Sequence, residues 1–302
     1  MPPQTALKYN KKLAFASRSP YLLDMPVPLT IIGLGPVGQT LARAINRAGF
    51  HNPTLIGRGR PGERALARAL KARYLPDLRH LIQGNGFIII CVKDNQITSA
   101  ARQLARLKLD WKRLIVLHAS GVFGSDVLKP LAATGASVAA WHPYMTFPKG
   151  GSPVGFGGVT FGISGEVRAV RAANRLTRAL GGKPLKLHEE DRVLYHLSAV
   201  LACGFVAADL EMAVRVLKKI GLSERRALET ILPIASQTLK NVRNLGPRRA
   251  LTGPAVRGDK ETIRKHLRAL RKLDPKLAHV YATVSRHQLS ADGQRPPVVQ
   301  KN

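Results

Sequence analysis

Residues 29–47 constrain the fold more than any other part of the chain: Leu29-Thr30-Ile31-Ile32, then Gly33-Leu34-Gly35-Pro36-Val37-Gly38, then helix-forming residues through Arg47. A short apolar run, a G-x-G-x-x-G turn and a helical pattern read as strand, tight turn and helix, with glycines where the chain must reverse sharply and pack closely. Similar apolar runs recur at 54–56, 87–92, 114–118, 138–141 and 159–163, most of them separated by helical patterns. Continuous apolar runs alternating with helices predict a parallel sheet covered on both faces, hence an α/β, doubly wound domain. After 184–187, read as the last strand, the signal is helical to the end. It opens with 191–217 and is punctuated by Gly221, Pro233, the segment 246–258 and Pro275. The expected organisation is an extension over 1–24, a sheet domain over 25–188, an all-helical domain over 189–290 and a tail over 291–302. The glycine- and proline-rich segment 148–158 reads as a long connection near the sheet.

Composition narrows what such a chain does. Its 302 residues suit two domains of about 150 residues. The most apolar uninterrupted stretch, 197–206, is short and soon followed by Asp209 and Glu211, so no membrane span is expected. Two cysteines, Cys91 and Cys203, exclude a disulfide framework and a cysteine-based metal site, and suit a reducing, cytoplasmic setting. No metal site is expected. The formal charge of +30 comes from 48 basic and 18 acidic residues. It would attract polyanions or anionic small molecules. It is nevertheless spread along the chain, with no basic run of five or more and few aromatics to stack on bases, which disfavours nucleic acid as a partner. Residues 1–24 contain Lys8, Lys11, Lys12 and Arg18, no acid before Asp24, and no continuous apolar core of a secretory signal; Met25 follows. They are expected to be dispensable for the fold.

The glycine turn also carries chemistry. Gly33, Leu34, Gly35, Pro36, Val37 and Gly38 place a helix N-terminus, with its free N–H groups, where a pyrophosphate can approach. NAD-type sites usually set an acid at the end of the second strand. Here Ile56 is followed by Gly57-Arg58-Gly59-Arg60, and the guanidinium groups of Arg58 and Arg60 suit a 2′-phosphate. NADP is therefore expected over NAD, solvated arginines being the plain alternative. Val92, Asp94 and Ser120, just after apolar runs, are expected along the cofactor cleft.

At this point the chain resembles Rossmann-like proteins that carry the domain of unknown function 2520, distant relatives of pyrroline-5-carboxylate reductases and deazaflavin-dependent NADP reductases. The resemblance covers roughly residues 28–285. It rests on the glycine turn, His118-Ala119-Ser120-Gly121, His142-Pro143-Tyr144-Met145-Thr146-Phe147 and Tyr195-His196. It also rests on Ala250-Leu251-Thr252-Gly253-Pro254-Ala255-Val256-Arg257-Gly258-Asp259 with Thr262 and His266-Leu267. It implies a Rossmann domain followed by an all-helical domain of the kind found in 6-phosphogluconate dehydrogenase relatives, a homodimer, and a reductase activity. The chain departs from that family in reading Cys203-Gly204 where members have Ser-Asn, and Arg192 where they often have Lys.

Hydride transfer asks the protein to orient the nicotinamide and to supply a proton. His196, His142 and His118 are the acid–base candidates, each with a structural alternative. Tyr195, Thr252, Arg257 and Asp259 are candidates for binding a small anionic substrate, with helix capping as the alternative for Asp259. The expected function is an NADP-dependent oxidoreductase acting on a small anionic carbonyl or imine between the two domains. A redox-inactive NADP-binding sensor and a nucleic-acid-binding protein are the competing readings.

Overall fold

The computed structural model describes residues 28–81, 86–148 and 155–292. The extension over 1–24, nearly all of the tail and most of the 148–158 connection lie outside the described residues. The chain forms two compact units, Met1–Cys203 and Gly204–Asn302.

The first unit is built on eight strands: β1 (Leu29–Ile32), β2 (Thr54–Ile56), β3 (Arg73–Leu75), β4 (Gly86–Ile90), β5 (Leu114–His118), β6 (Ser137–Pro143), β7 (Thr160–Gly165) and β8 (Lys183–Lys186). They form one sheet in the order β3-β2-β1-β4-β5-β6-β7-β8. Its helices are α1 (Pro36–Arg47), α2 (Pro61–Ala69), α3 (Ile97–Ala105), α4 (Lys129–Ala132), α5 (Val167–Ala179) and α6 (Arg192–Ala199). β1 and β4 are buried throughout and hold no polar side chain beyond Thr30, as strands buried on both faces require. α1 starts at Pro36, whose fixed φ suits a first helical position, and buries Leu41, Ala42, Ala44 and Ile45. α5 buries Ala169, Ala172, Ala173, Leu176 and Thr177 at helical spacing and turns Arg168, Arg171, Arg175 and Arg178 to solvent. One core lies under α1 and α5 and includes Trp141 and Phe161; the other lies under α3 and α4 and includes Ile88, Ile90 and Val116.

Two features differ from the sequence reading. The sheet is not wholly parallel: β7 runs antiparallel to β6, and β8 runs parallel to β7. No helix separates 143 from 160 among the described residues, and a return without a crossover element reverses direction. The apolar run of β7 could not reveal this, because a strand buried on both faces reads the same in either direction. The sequence reading also missed β3, a three-residue edge strand whose Arg73 is exposed.

The second unit holds α7 (Val206–Lys219), α8 (Glu224–Leu245), α9 (Lys260–Leu273) and α10 (Pro275–Asp292). Ser223 and Asp259 cap α8 and α9 through their side chains, and Arg215 ties α7 to the start of α10 by a 2.7 Å ion pair with Asp274. Pro233 does not punctuate α8, which runs through it for 22 residues. α8 leaves Leu228, Leu232, Leu239 and Val242 exposed.

α6, a π-helical turn over Val200–Phe205 and α7 follow without a break, so the apolar helix over Arg192–Lys219 is longer than the run over 197–206 suggests and would reach across a bilayer by length and composition, which alone does not make it a membrane span. The first turn of that helix, however, is anchored to the sheet by a fully buried Arg192.

Candidate active site

The glycine turn lies where the strand order reverses, between the carboxyl ends of β1, β2 and β4. Gly33 donates to the Ile56 carbonyl at 2.9 Å, and Cys91 donates to that of Ile32 at 2.7 Å. Each glycine answers a different constraint. Gly33 has φ +94°, and a side chain there would stand 2.7 Å from the Cys91 carbonyl oxygen. A Cβ on Gly38 would collide with the carbonyl of Gly33, so α1 packs against the turn only without one. A Cβ on Gly35 would meet nothing within 4 Å. That open space at the N-terminus of α1, whose first turn carries no acid, fits the pyrophosphate of a dinucleotide.

From the turn extends a cleft of about 680 Å³, lined among others by Gly33, Gly35, Arg58, Arg60, Val92 and Asn95. Lys93, missed in the sequence, also lines it; Asp94 does not, starting the short helical turn between Lys93 and Asn95 instead. Leu34 lines it too but is itself buried. Arg58 reaches across, its Nη2 donating to Gln96 Oε1 at 2.9 Å.

An acid does stand at the end of β2, though not where the sequence was searched. Glu63, in the first turn of α2, is 5% exposed, and its Oε2 accepts from Arg58 N–H at 2.8 Å, Arg60 N–H at 3.1 Å and the Tyr74 hydroxyl at 3.1 Å. Tyr74 in turn accepts from Gly59 N–H at 2.7 Å, and burial, with the neighbouring Glu63 carboxylate, raises its pKa.

A second group of polar side chains gathers where β5 and β6 end and α6 crosses. His118 is fully buried: Nδ1 accepts from Ser120 N–H at 3.2 Å, which leaves the ring proton on Nε2 to donate to the Gly124 carbonyl at 2.8 Å. Burial pushes its pKa down to about 4, so this imidazole is a neutral brace for the loop after β5. Arg192 braces the same loop from α6, donating from Nη2 to the Ser120 carbonyl at 2.8 Å and from Nη1 to Ser164 Oγ at 3.0 Å. Glu189 completes the attachment, accepting from Ser125 Oγ at 2.7 Å and Ser125 N–H at 3.1 Å.

These braces fix Tyr195 and His196. Tyr195 Oη accepts from Gly162 N–H at 3.1 Å and lies 3.4 Å from His142 Nδ1. Gly162 must lack a side chain, since a Cβ would stand 2.6 Å from Tyr195 Cζ. The rings of His142 and His196 are 5.9 Å apart, both resting on Gly121, where a Cβ would stand 2.9 Å from His142 Nε2. Burial, and to a lesser degree His196, lowers the His142 pKa to about 3, while burial raises that of Tyr195 to about 12. His142 and Tyr195 are thus both neutral at physiological pH, and both can hydrogen-bond a polar substrate group.

The structure therefore brings His118, Ser120, His142, Tyr195 and His196 together, and the glycine turn, Arg58, Arg60 and Val92 together, within one unit. Pro36 and Val37 open α1, and Ser120 belongs to the imidazole group, with its Oγ accepting from Phe123 N–H. Thr252, Arg257 and Asp259 lie in the second unit, before α9. Asp259 accepts from Thr262 N–H at 3.0 Å and Oγ1 at 2.7 Å as the helix cap, while Thr252 and Arg257 are exposed. Gly162, Glu189, the packing role of Gly121 and the bonding role of Arg192 were not read from the sequence; for Gly162, a glycine inside the apolar run of β7 was the available signal.

A G-x-G-x-x-G turn at the crevice of a doubly wound sheet defines a dinucleotide-binding fold of the Rossmann class. Residues 19–143 match the model of a Rossmann-like domain, and residues 159–288 match that of the domain of unknown function DUF2520. The two matches fall on successive stretches of the chain, and the second begins at β7 and so includes α6. Among curated proteins none matches the chain. Among solved structures, a Bacteroides fragilis protein assigned provisionally as an NADP oxidoreductase is 26% identical with a TM-score of 0.74, over 87% of this chain and 98% of that one. An imine reductase from Myxococcus stipitatus in complex with NADP+ is 14% identical with a TM-score of 0.62, over 88% and 95%. A 1-pyrroline-5-carboxylate reductase from Streptococcus pyogenes is 15% identical with a TM-score of 0.58, over 88% and 98%. The last two are similar in fold alone.

Proposed function

We propose that this protein is an NADP-dependent oxidoreductase acting on a small, anionic carbonyl or imine compound. The observation that carries the reading is the cleft itself: an open glycine turn at one end and, at the end of β2, two arginines beside a Glu63 carboxylate whose Oε2 is tied to the turn's own backbone. The Bacteroides fragilis relative supports it. NADPH, when bound, supplies the hydride; this chain's residues orient the partners and deliver a proton. The loop braced by His118 and Arg192 presents Gly121, and above it His142 and Tyr195 hold the substrate's polar group as neutral hydrogen-bonding partners. His196, half-buried beside His142, delivers the proton that makes an alcohol or amine. Arg192 adds a buried positive charge beneath this group, which favours an anionic substrate over a cationic one. We read the exposed apolar stripe of α8 as the surface through which two copies associate.

Fluorescence titration with NADPH and NADH tests the cofactor assignment. The wild-type protein is expected to prefer NADPH, and the double variant Arg58→Ala/Arg60→Ala to lose about 10-fold or more in NADPH affinity with NADH affinity unchanged. An unchanged NADPH/NADH ratio would sink the 2′-phosphate assignment. In a screen of carbonyl and imine acids, His196→Ala is expected to lower turnover about 100-fold or more while binding NADPH normally. Turnover equal to wild type would remove His196 from the proton path, and NADPH binding without turnover of any compound would favour a ligand sensor.

A further inference from the structure

The turn over residues 57–60 is unusual for a segment that is to hold a phosphate, because none of its backbone donors is left to do so. Gly57 N–H donates to the Leu75 carbonyl at 3.2 Å, Arg58 and Arg60 N–H to Glu63 Oε2, and Gly59 N–H to Tyr74 Oη. Consecutive backbone amides would otherwise make an anion nest. Here a buried carboxylate and a phenol close it from below.

Resting on the NADP reading above, we propose that Glu63 and Tyr74 are the positioning residues that set the preference for the phosphorylated cofactor. They lock the 57–60 turn with its amides inward and its two arginine side chains in the cleft. Three observations carry this. First, Glu63 occupies the end of β2, but its Oε2 takes three donors and the residue is 5% exposed. Glu63 lines the cleft, but the oxygen that the acid of an NAD-type site would offer to ribose hydroxyls is here committed to the turn. Second, Gly57 is shaped to this arrangement, since a Cβ there would collide with Glu63 Oε2. Third, the charge has the wrong sign for direct binding: a carboxylate behind Arg58 and Arg60 opposes a phosphate electrostatically. It can favour the phosphate only through the geometry it imposes.

The third point gives a test whose sign discriminates. If Glu63 acted on the cofactor as a charge, its removal would tighten NADPH binding; as a positioning residue, its removal weakens it. Glu63→Ala is expected to raise the NADPH dissociation constant about 10-fold and leave that of NADH within about 2-fold, because two backbone donors lose their acceptor and the turn relaxes. Glu63→Gln, which keeps an acceptor oxygen of the same reach, should restore NADPH affinity to within about 3-fold of wild type. Tyr74→Phe removes the acceptor of Gly59 and one donor to Glu63, and should raise the NADPH constant about 3-fold. It reads the same effect if Glu63→Ala fails to fold. NADPH binding that tightens in Glu63→Ala, equal weakening for both cofactors, or an unchanged ratio in both Glu63→Ala and Tyr74→Phe would overturn the proposal. A wild-type protein without NADPH preference would instead overturn the cofactor reading beneath it.

Discussion

Gly35→Asp should eliminate NADPH binding, by more than about 100-fold, in a protein that is no less stable than the wild type. The two effects have opposite origins. Gly35 is the residue preceding α1, its φ of −71° is ordinary for any amino acid, and a Cβ there meets nothing within 4 Å. Aspartate is among the preferred residues at such a cap and exceeds glycine there by a few tenths of a kcal/mol. Its carboxylate would therefore satisfy the N-terminus of α1 with the same interaction that the pyrophosphate requires, and repel the incoming phosphate as well. Thermal unfolding and an NADPH titration on the same sample would measure both halves. Gly38→Ala is the contrasting control, since it forces a Cβ against the Gly33 carbonyl and should lower the melting temperature. NADPH binding by Gly35→Asp at wild-type affinity would mean that the cofactor does not use this turn.

The second large effect is a loss of stability in mild acid. His118 and His142 have folded pKa values of about 4 and about 3, below the ordinary 6.5 they regain on unfolding. In both, burial is the main cause. Between those values the unfolded chain binds more protons, so stability rises with pH up to about 6.5 and is flat above it. Acidification from pH 7 to pH 4.5 should cost about 2 kcal/mol from His118 alone, with His142 adding to it. Urea unfolding at a series of pH values would record the slope. The capping and paired carboxylates Asp259 and Asp274, whose pKa values hydrogen bonds lower, contribute in a separate window. Their stabilisation is lost only as pH falls below about 3.8. Stability constant from pH 7 to pH 5 would show that the two imidazoles are hydrated rather than buried.

What the sequence disclosed follows from the range of the interactions involved. The glycine turn and the strands over 54–56 and 114–118 are legible because each is fixed by local backbone demands or by burial on both faces. The direction of β7 is not, since pairing direction leaves no trace in a fully apolar run. Glu63 escaped because an acid was sought in the residues following Ile56, whereas the helix that follows carries its carboxylate back under the turn from seven positions beyond Ile56. The histidines stood out as isolated reactive residues, yet only the structure separates them. His118 has both ring nitrogens engaged by backbone, while His142 and His196 share the space above Gly121. Arg192 was visible only as a difference from relatives, and its joining of the loop after β5, β7 and α6 depends on contacts across 28 and 72 residues of chain.

The strand order β3-β2-β1-β4-β5-β6-β7-β8 divides the sheet's tasks by chain position. Every residue named in the dinucleotide cleft comes before α3 ends, and every member of the imidazole group comes from β5 onward, with the segment between Ala105 and Leu114 joining them. The seam between the two groups is the pairing of β4 with β5, so the register of that one strand pair fixes how far the glycine turn stands from the imidazoles.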